Sequence, residues 1–172
     1  VLRWEIPLAL SKDPTHAAAT IGYALGRGHA KSLHELLKKE QWIDSMSIQI
    51  DDGSGKDHCC FQIFLELTEQ GLEHLQEVGL QIFQALASLK NSKIPLYLYE
   101  EKNQIAQMQY QYQSRQDAFA YIAKLGDTVA DEPLATYPRS QLLASSYSAE
   151  KIEEVFSLLT PQQCAFTLLA PS

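Results

Sequence analysis

Residues 42–72, WIDSMSIQIDDGSGKDHCCFQIFLELTEQGL, decide the fold. From Cys59 to Leu67 the apolar Cys59, Phe61, Ile63, Leu65 and Leu67 alternate with Gln62 and Glu66, the period of two that marks a strand with one buried face. Trp42 to Ile50 reads as its partner strand. Between them Asp51-Asp52-Gly53-Ser54-Gly55 reads as a hairpin loop, because glycine supplies the positive φ of a tight reversal. Cys59 and Cys60, adjacent in a strand, point to opposite faces. At Thr68 the period changes. Thr68 suits a helix cap, and Leu72, Leu75, Val78, Ile82, Phe83, Leu86 and Leu89 form one stripe on a long helix broken by Asn91 to Pro95.

Working outward, Leu2 to Leu8 reads as a strand, and Asp13-Pro14 as the start of a helix carrying Ala17, Ala18, Ile21 and Leu25 to a stop at Gly26-Arg27-Gly28. Ser32 caps a shorter helix with Leu33, Leu36 and Leu37 on one face. On the carboxyl side, Leu96 to Tyr112 and Asp117 to Leu125 are helical, the second closed by Gly126, and Asp131 to Pro138 is loop. Tyr110 and Tyr112 lie about 200° apart on their helix, which sends one toward the core and the other toward water. Ser148 caps a last helix with Ile152, Val155, Phe156 and Leu159, Thr160-Pro161 stops it, and Cys164 to Leu169 makes a final strand. Strands joined by a tight hairpin, with helices grouped between them, give an α+β class: an antiparallel or mixed sheet in two layers, helices on one face.

The 172 residues, 45 % of them apolar, suffice for one domain core. A net charge of −7 and a pI near 5.2 argue against a nucleic-acid partner, which would draw its affinity from clustered Lys and Arg. No apolar run approaches the roughly 20 residues that span a bilayer, so no membrane partner is expected. Cys59, Cys60 and Cys164 give an odd count and no disulfide framework. The chain opens on Val1 rather than Met, which reads as a piece of a longer polypeptide. The compartment, cytoplasm or periplasm, stays open.

Chemistry was sought first at His16, His29, His34, His58 and His74. Neither HExxH nor its inverse HxxEH occurs, so no helix presents two histidines to a metal with a glutamate as base. His29 and His34 are five apart, about 140° around a helix, too far to share an ion. No GxSxG elbow is present, and Gly26-Arg27-Gly28 lacks the remaining glycines and the Lys of a phosphate loop. The adjacent carboxylates Glu100-Glu101 and Glu153-Glu154 read as solvated helix faces. No catalytic or metal-binding residue is expected in the segment.

Several pieces in unbroken order resemble the second domain of an insulinase/pitrilysin-type half. They are Trp4-Glu5-Ile6-Pro7; Gly26 to Leu33 with Leu36, Leu37 and Trp42, similar to "GxxGxGSLxxxL…G-W"; Leu67 to Leu72, similar to "LTxxGL"; and Leu159-Thr160-Pro161 before the apolar run to Leu169. The resemblance implies a curved sheet with helices on one side, the LuxS/mitochondrial-processing-peptidase-like metallohydrolase fold, repeated to enclose a chamber for peptides. It implies that residues 1–172 are a single non-catalytic domain of a multidomain zinc metallopeptidase, the zinc being held by another domain of the parent. It further implies a substrate-binding edge at Met46, Ser47, Ile48, Gln49 and Ile50, with Tyr23, Gly26 and Gly28 near the amino end of a bound peptide. In the family pattern a Gly and an acidic residue stand where this chain has Ile48 and Gly28. The expected partners are peptide substrates and the other domains of the parent. Two alternatives are a structural assembly subunit of the same fold without proteolytic role, and an unrelated α+β binding module.

Overall fold

Leu2, Trp4 and Ile6 all point one way from the first strand and are each at most 1 % exposed, while Arg3, Glu5 and Pro7 point the other way. That alternation sets the inside of the molecule. In this computed structural model, which describes residues 1–27, 32–51, 58–112, 117–129 and 143–169, the strand is β1, Leu2–Pro7. It pairs antiparallel with β3, His58–Leu67, in the register Leu2↔Ile63, Trp4↔Phe61, Ile6↔Cys59. β3 pairs antiparallel with β2, Ile43–Asp51, placing Met46 opposite Leu65, Ile48 opposite Ile63 and Ile50 opposite Phe61. A two-residue strand β4, Ala165–Phe166, lies on the far side of β1, so the sheet runs β2-β3-β1-β4 and is wholly antiparallel.

The helices form the second layer. They are α1 (Leu8–Ser11), α2 (Ala17–Gly26), α3 (Leu33–Lys39), α4 (Glu69–Glu73), α5 (Leu75–Ser92), α6 (Leu96–Gln111), α7 (Ala118–Val129) and α8 (Ala149–Leu158). α2 lies on β2 and against α6 and α8, and α3 packs on β2 and α5. Ile21 and Leu25 of α2, Val78, Ile82 and Leu86 of α5, and Ile152, Val155 and Phe156 of α8 close over the sheet. Trp4 is the hub: Phe61 and Phe83 meet its ring edge-on at 6.1 and 6.0 Å, and its indole N–H donates to the Thr160 carbonyl at 2.9 Å. On the opposite sheet face the Arg3 guanidinium donates to Cys60 Sγ at 2.9 Å, and Cys60 and Cys59 are buried on their separate faces as the strand period requires.

The expected caps are present: Ser32, Thr68 and Ser148 each accept from the backbone N–H three residues on. Elsewhere the chain departs from the sequence expectations for local reasons. Asp13 does not cap α2. Its carboxylate turns onto the backbone and hydroxyl of Thr15, and the Pro14 carbonyl is taken by Ser145 N at 2.8 Å. α2 therefore starts at Ala17, behind His16 at φ 51°. Leu8 belongs to the short helix α1 rather than to β1. Leu36 is exposed, away from the face shared by Leu33 and Leu37. The single long helix after Thr68 is broken at His74, whose ring stacks on Trp42 at 5.2 Å, and Leu72 before the break is exposed. Gly126 does not end its helix, which continues to Val129. Both Tyr110 and Tyr112 are exposed, because no element covers the second half of α6 among the described residues. The hairpin loop between β2 and β3 beyond Asp51, and the 131–138 loop, lie outside the described residues.

Candidate functional site

β2 is an edge strand: it pairs with β3 and, among the described residues, with nothing on its outer side. Met46, Ile48 and Ile50 turn toward the helices and are half-buried, while Ser45, Ser47, Gln49 and Asp51 stand exposed on the other face. Natural edges are usually blunted by lysine, proline, charge or a bulge. β2 has a bulge between Ile43 and Ser45 and aspartates at positions 44 and 51, and residues 45–50 between them carry no charge and no proline. Ser45 Oγ is committed to Glu66 on the neighbouring strand at 2.6 Å. The stretch SMSIQI is thus a six-residue template with its outward backbone groups accessible.

α2 sits on the inner side of this edge because two glycines let it approach. A Cβ on Gly22 would lie 3.2 Å from Ile48 Cγ2, and one on Gly26 would lie 3.4 Å from Ile48 Cδ1. Ile48 fills the shallow trough that the glycines leave along α2. Tyr23, one residue beyond Gly22, is half-buried, and its hydroxyl donates to Glu101 of α6. Burial, then that hydrogen bond, push the Tyr23 phenol above its usual range. Arg27, just past α2, pairs with Glu101 at 2.9 Å and lies 5.8 Å over the Tyr97 ring. The structure therefore brings Tyr23, Gly26 and Met46–Ile50 into one region, and Gly28 lies outside the described residues.

Sequence reasoning missed Tyr97, Arg27 and Glu101 as members of this region. Glu101 was grouped with Glu100 as a solvated pair, yet Glu101 bridges Tyr23 and Arg27. The available signal was the spacing of Tyr97 and Glu101, four apart and so on one face of a helix that Pro95 begins.

The described histidines do not fit a zinc site. His34 and His74 each lie beside one glutamate, at 3.4 and 3.7 Å, and His16 forms the left-handed start of α2. No group of three His, Cys, Asp or Glu side chains converges among the described residues. Nor is any described helix long and apolar enough to cross a membrane.

No family model matches the chain. Individual proteins do. A nardilysin-like protein of Arabidopsis thaliana is 24 % identical over 174 residues, covering 99 % of this chain and 17 % of that protein. Protease 3 of Salmonella typhi is 24 % identical over 151 residues, covering 88 % of this chain and 16 % of its own. The chain is a homologue of these proteases. The insulinase/pitrilysin resemblance carried by the glycine and Leu-Thr motifs thus extends over nearly the whole homologous chain. The crystal structure of pitrilysin superimposes on 95 % of it with a TM-score of 0.90 at 22 % identity, and shares its fold. The homologous segment spans about one sixth of the length of these relatives, 17 % of the Arabidopsis protein and 16 % of protease 3.

Proposed function

We propose that this chain is a non-catalytic domain of a zinc metallopeptidase, and that the β2 edge at Met46–Ile50 holds substrate peptide by strand addition while another domain of the parent supplies the zinc. The reading is carried by one observation: a sheet edge whose residues 45–50 are uncharged, with Ile48 anchored inward on Gly22 and Gly26. Strand addition draws affinity from main-chain hydrogen bonds and specificity from alternate side chains. A peptide paired to β2 would set every second side chain beside Met46, Ile48 and Ile50, and the others beside Ser47, Gln49 and Asp51. The region of Tyr23 and Gly26 borders the helix-layer side of that peptide. Homology to proteases supplies the class of partner, and the sheet forms part of the wall along which the peptide lies.

Proline substitution in the full-length protein tests the proposal. In an antiparallel edge strand, alternate residues direct their N–H toward the neighbour and toward the outside. Of Ser47→Pro and Ile48→Pro, one therefore removes a donor to β3 and the other an outward donor only. The variant that keeps its unfolding midpoint is the informative one, since proline is tolerated where the N–H faces solvent. It is expected to bind long peptides more weakly, while cleavage of a dipeptide-sized reporter too short to reach β2 is unchanged. Unaltered long-peptide affinity in that folded variant rejects the edge as a binding site.

A further inference from the structure

A groove of about 700 Å³ opens at the end of the sheet where β1 stops short. The last pair between β1 and β3 is Leu2↔Ile63, yet β3 continues through Phe64, Leu65 and Glu66 to Leu67. On the other flank, Val1 and Thr167 exchange both backbone hydrogen bonds, Val1 N to Thr167 O at 2.7 Å and Thr167 N to Val1 O at 2.9 Å, and Leu168 and Leu169 follow. β3 and the 167–169 segment flank β1, so they stand two strand spacings apart, roughly 9–10 Å. The groove between them is one strand wide and lies on the line of β1.

Three features point to a strand as its occupant. The first is hydrogen bonding. Because Val1 spends its N–H and C=O on Thr167, the alternation of an antiparallel ladder turns the N–H and C=O of Leu65 toward the β1 side and into the groove. The second is the floor. Leu72, Leu75, Val78 and Ile82 line it, and Leu72 and Leu168 remain 46 % and 44 % exposed. The third is Gly79, mid-helix in α5 on the same floor. A Cβ there would meet nothing within 4 Å, although glycine costs a helix interior about 1 kcal/mol relative to alanine. Gly71, by contrast, is matched to a backbone pressed against it. Burial also pushes the Val1 amine below its usual range, an environment suited to a peptide N–H more than to a charge.

We propose that in the longer protein the two or three residues leading into Val1 extend β1 through this groove, joining β3 to the 167–169 segment, with their backbone lying over Gly79. The polypeptide is at hand, since relatives such as the Arabidopsis protein are covered to only 17 % by this chain. Register fixes the chemistry of the segment. The residue immediately before Val1 lies between Leu65 and Leu168 and faces the helices like Leu2, so it is apolar. The next one back lies between Glu66 and Leu169 on the open face and is polar. β4 then becomes a full strand rather than two residues.

The test uses the full-length protein. With a cysteine at the residue immediately before Val1, Leu168→Cys is its non-hydrogen-bonded cross-strand partner, at a Cα separation of about 4.5 Å that suits a disulfide. Leu169→Cys points to the opposite face. Mild oxidation is expected to close an intramolecular crosslink with Leu168→Cys and not with Leu169→Cys. Separately, Gly79→Leu is expected to lower the unfolding midpoint, because its side chain meets the added backbone. Absence of the crosslink at 168, equal crosslinking at both positions, crosslinking between two copies, or an unchanged or raised midpoint for Gly79→Leu overturns the proposal. The substituted Leu168 is half-exposed, so the crosslink reads independently of any folding defect in the glycine variant.

Discussion

Gly71→Ala is the smallest change with the largest expected cost. A Cβ built on Gly71 falls 1.8 Å from the Trp42 carbonyl oxygen, 2.7 Å from its carbon and 3.0 Å from Trp42 Cα. All three are backbone atoms, so no side-chain rotation relieves the overlap. Trp42 would have to move, and its surroundings resist. Its carbonyl accepts Thr68 N at 3.1 Å, the adjacent Gln41 carbonyl accepts Thr68 Oγ1 at 2.5 Å, and its ring stacks on His74. Losing or stretching two hydrogen bonds costs about 2 kcal/mol, and overpacking of this kind costs about 1–3 kcal/mol. Alanine returns about 1 kcal/mol of helix propensity. The net destabilisation is about 3 kcal/mol, a large fraction of what a domain of this size possesses. Urea unfolding followed by tryptophan fluorescence measures it, with Gly126→Ala as the control, since a Cβ at Gly126 meets nothing within 4 Å. The control is expected to be neutral or stabilising. If Gly71→Ala unfolds within about 0.5 kcal/mol of the unsubstituted protein, the close approach of Trp42 to α4 is wrong.

Trp4→Phe keeps an aromatic ring between Phe61 and Phe83 but leaves the Thr160 carbonyl without its indole donor, and is expected to cost about 1–3 kcal/mol in the same assay; a neutral result removes Trp4 N–H as the tie between β1 and the end of α8. Lys102 has its pKa lowered by burial. Its folded value lies below the unfolded 10.5, so the folded state binds its proton less tightly, and stability rises with pH through the window between the two values. Lys102→Met is therefore expected to stabilise the protein at neutral pH, with the gain shrinking as pH approaches 10.5; a gain that does not depend on pH assigns the effect to packing instead.

The strands were legible because their period is short and one face is dry. Trp42 to Leu67 contains both strands of the hairpin within a residue of their ends, and the caps at Ser32, Thr68 and Ser148 follow from side chains that reach only three residues along. What failed depended on distant partners. Asp13-Pro14 is a sound helix start by local rules, but Ser145, 131 residues away, takes the Pro14 carbonyl. The break at His74 needs Trp42, whose carbonyl wedges α4 and whose ring receives the imidazole, and no periodicity of the 68–92 stretch contains that information. At the candidate site the edge strand could be placed from its pattern, whereas Glu101 could not. Its role comes from α6 crossing α2 and bringing one of two adjacent carboxylates to Tyr23 and Arg27.

Ile48 resolves the departure from the family pattern in favour of an accessible edge. A branched side chain where relatives have glycine would block strand addition if it projected across the outer side of β2. It does not, because strand side chains stand perpendicular to the sheet, and the register with Ile63 directs this one into the helix layer. There it meets Gly22 and Gly26, residues whose missing Cβ atoms give it room at 3.2 and 3.4 Å. The larger residue on the strand and the smaller ones on the helix are two halves of one packing solution. Pairing through the backbone is thereby preserved, and a stiffer edge loses less conformational entropy when a peptide docks. Gly22→Ala should accordingly disturb peptide binding through β2 without touching the peptide, because its Cβ can be accommodated only by shifting Ile48 and the strand that carries it.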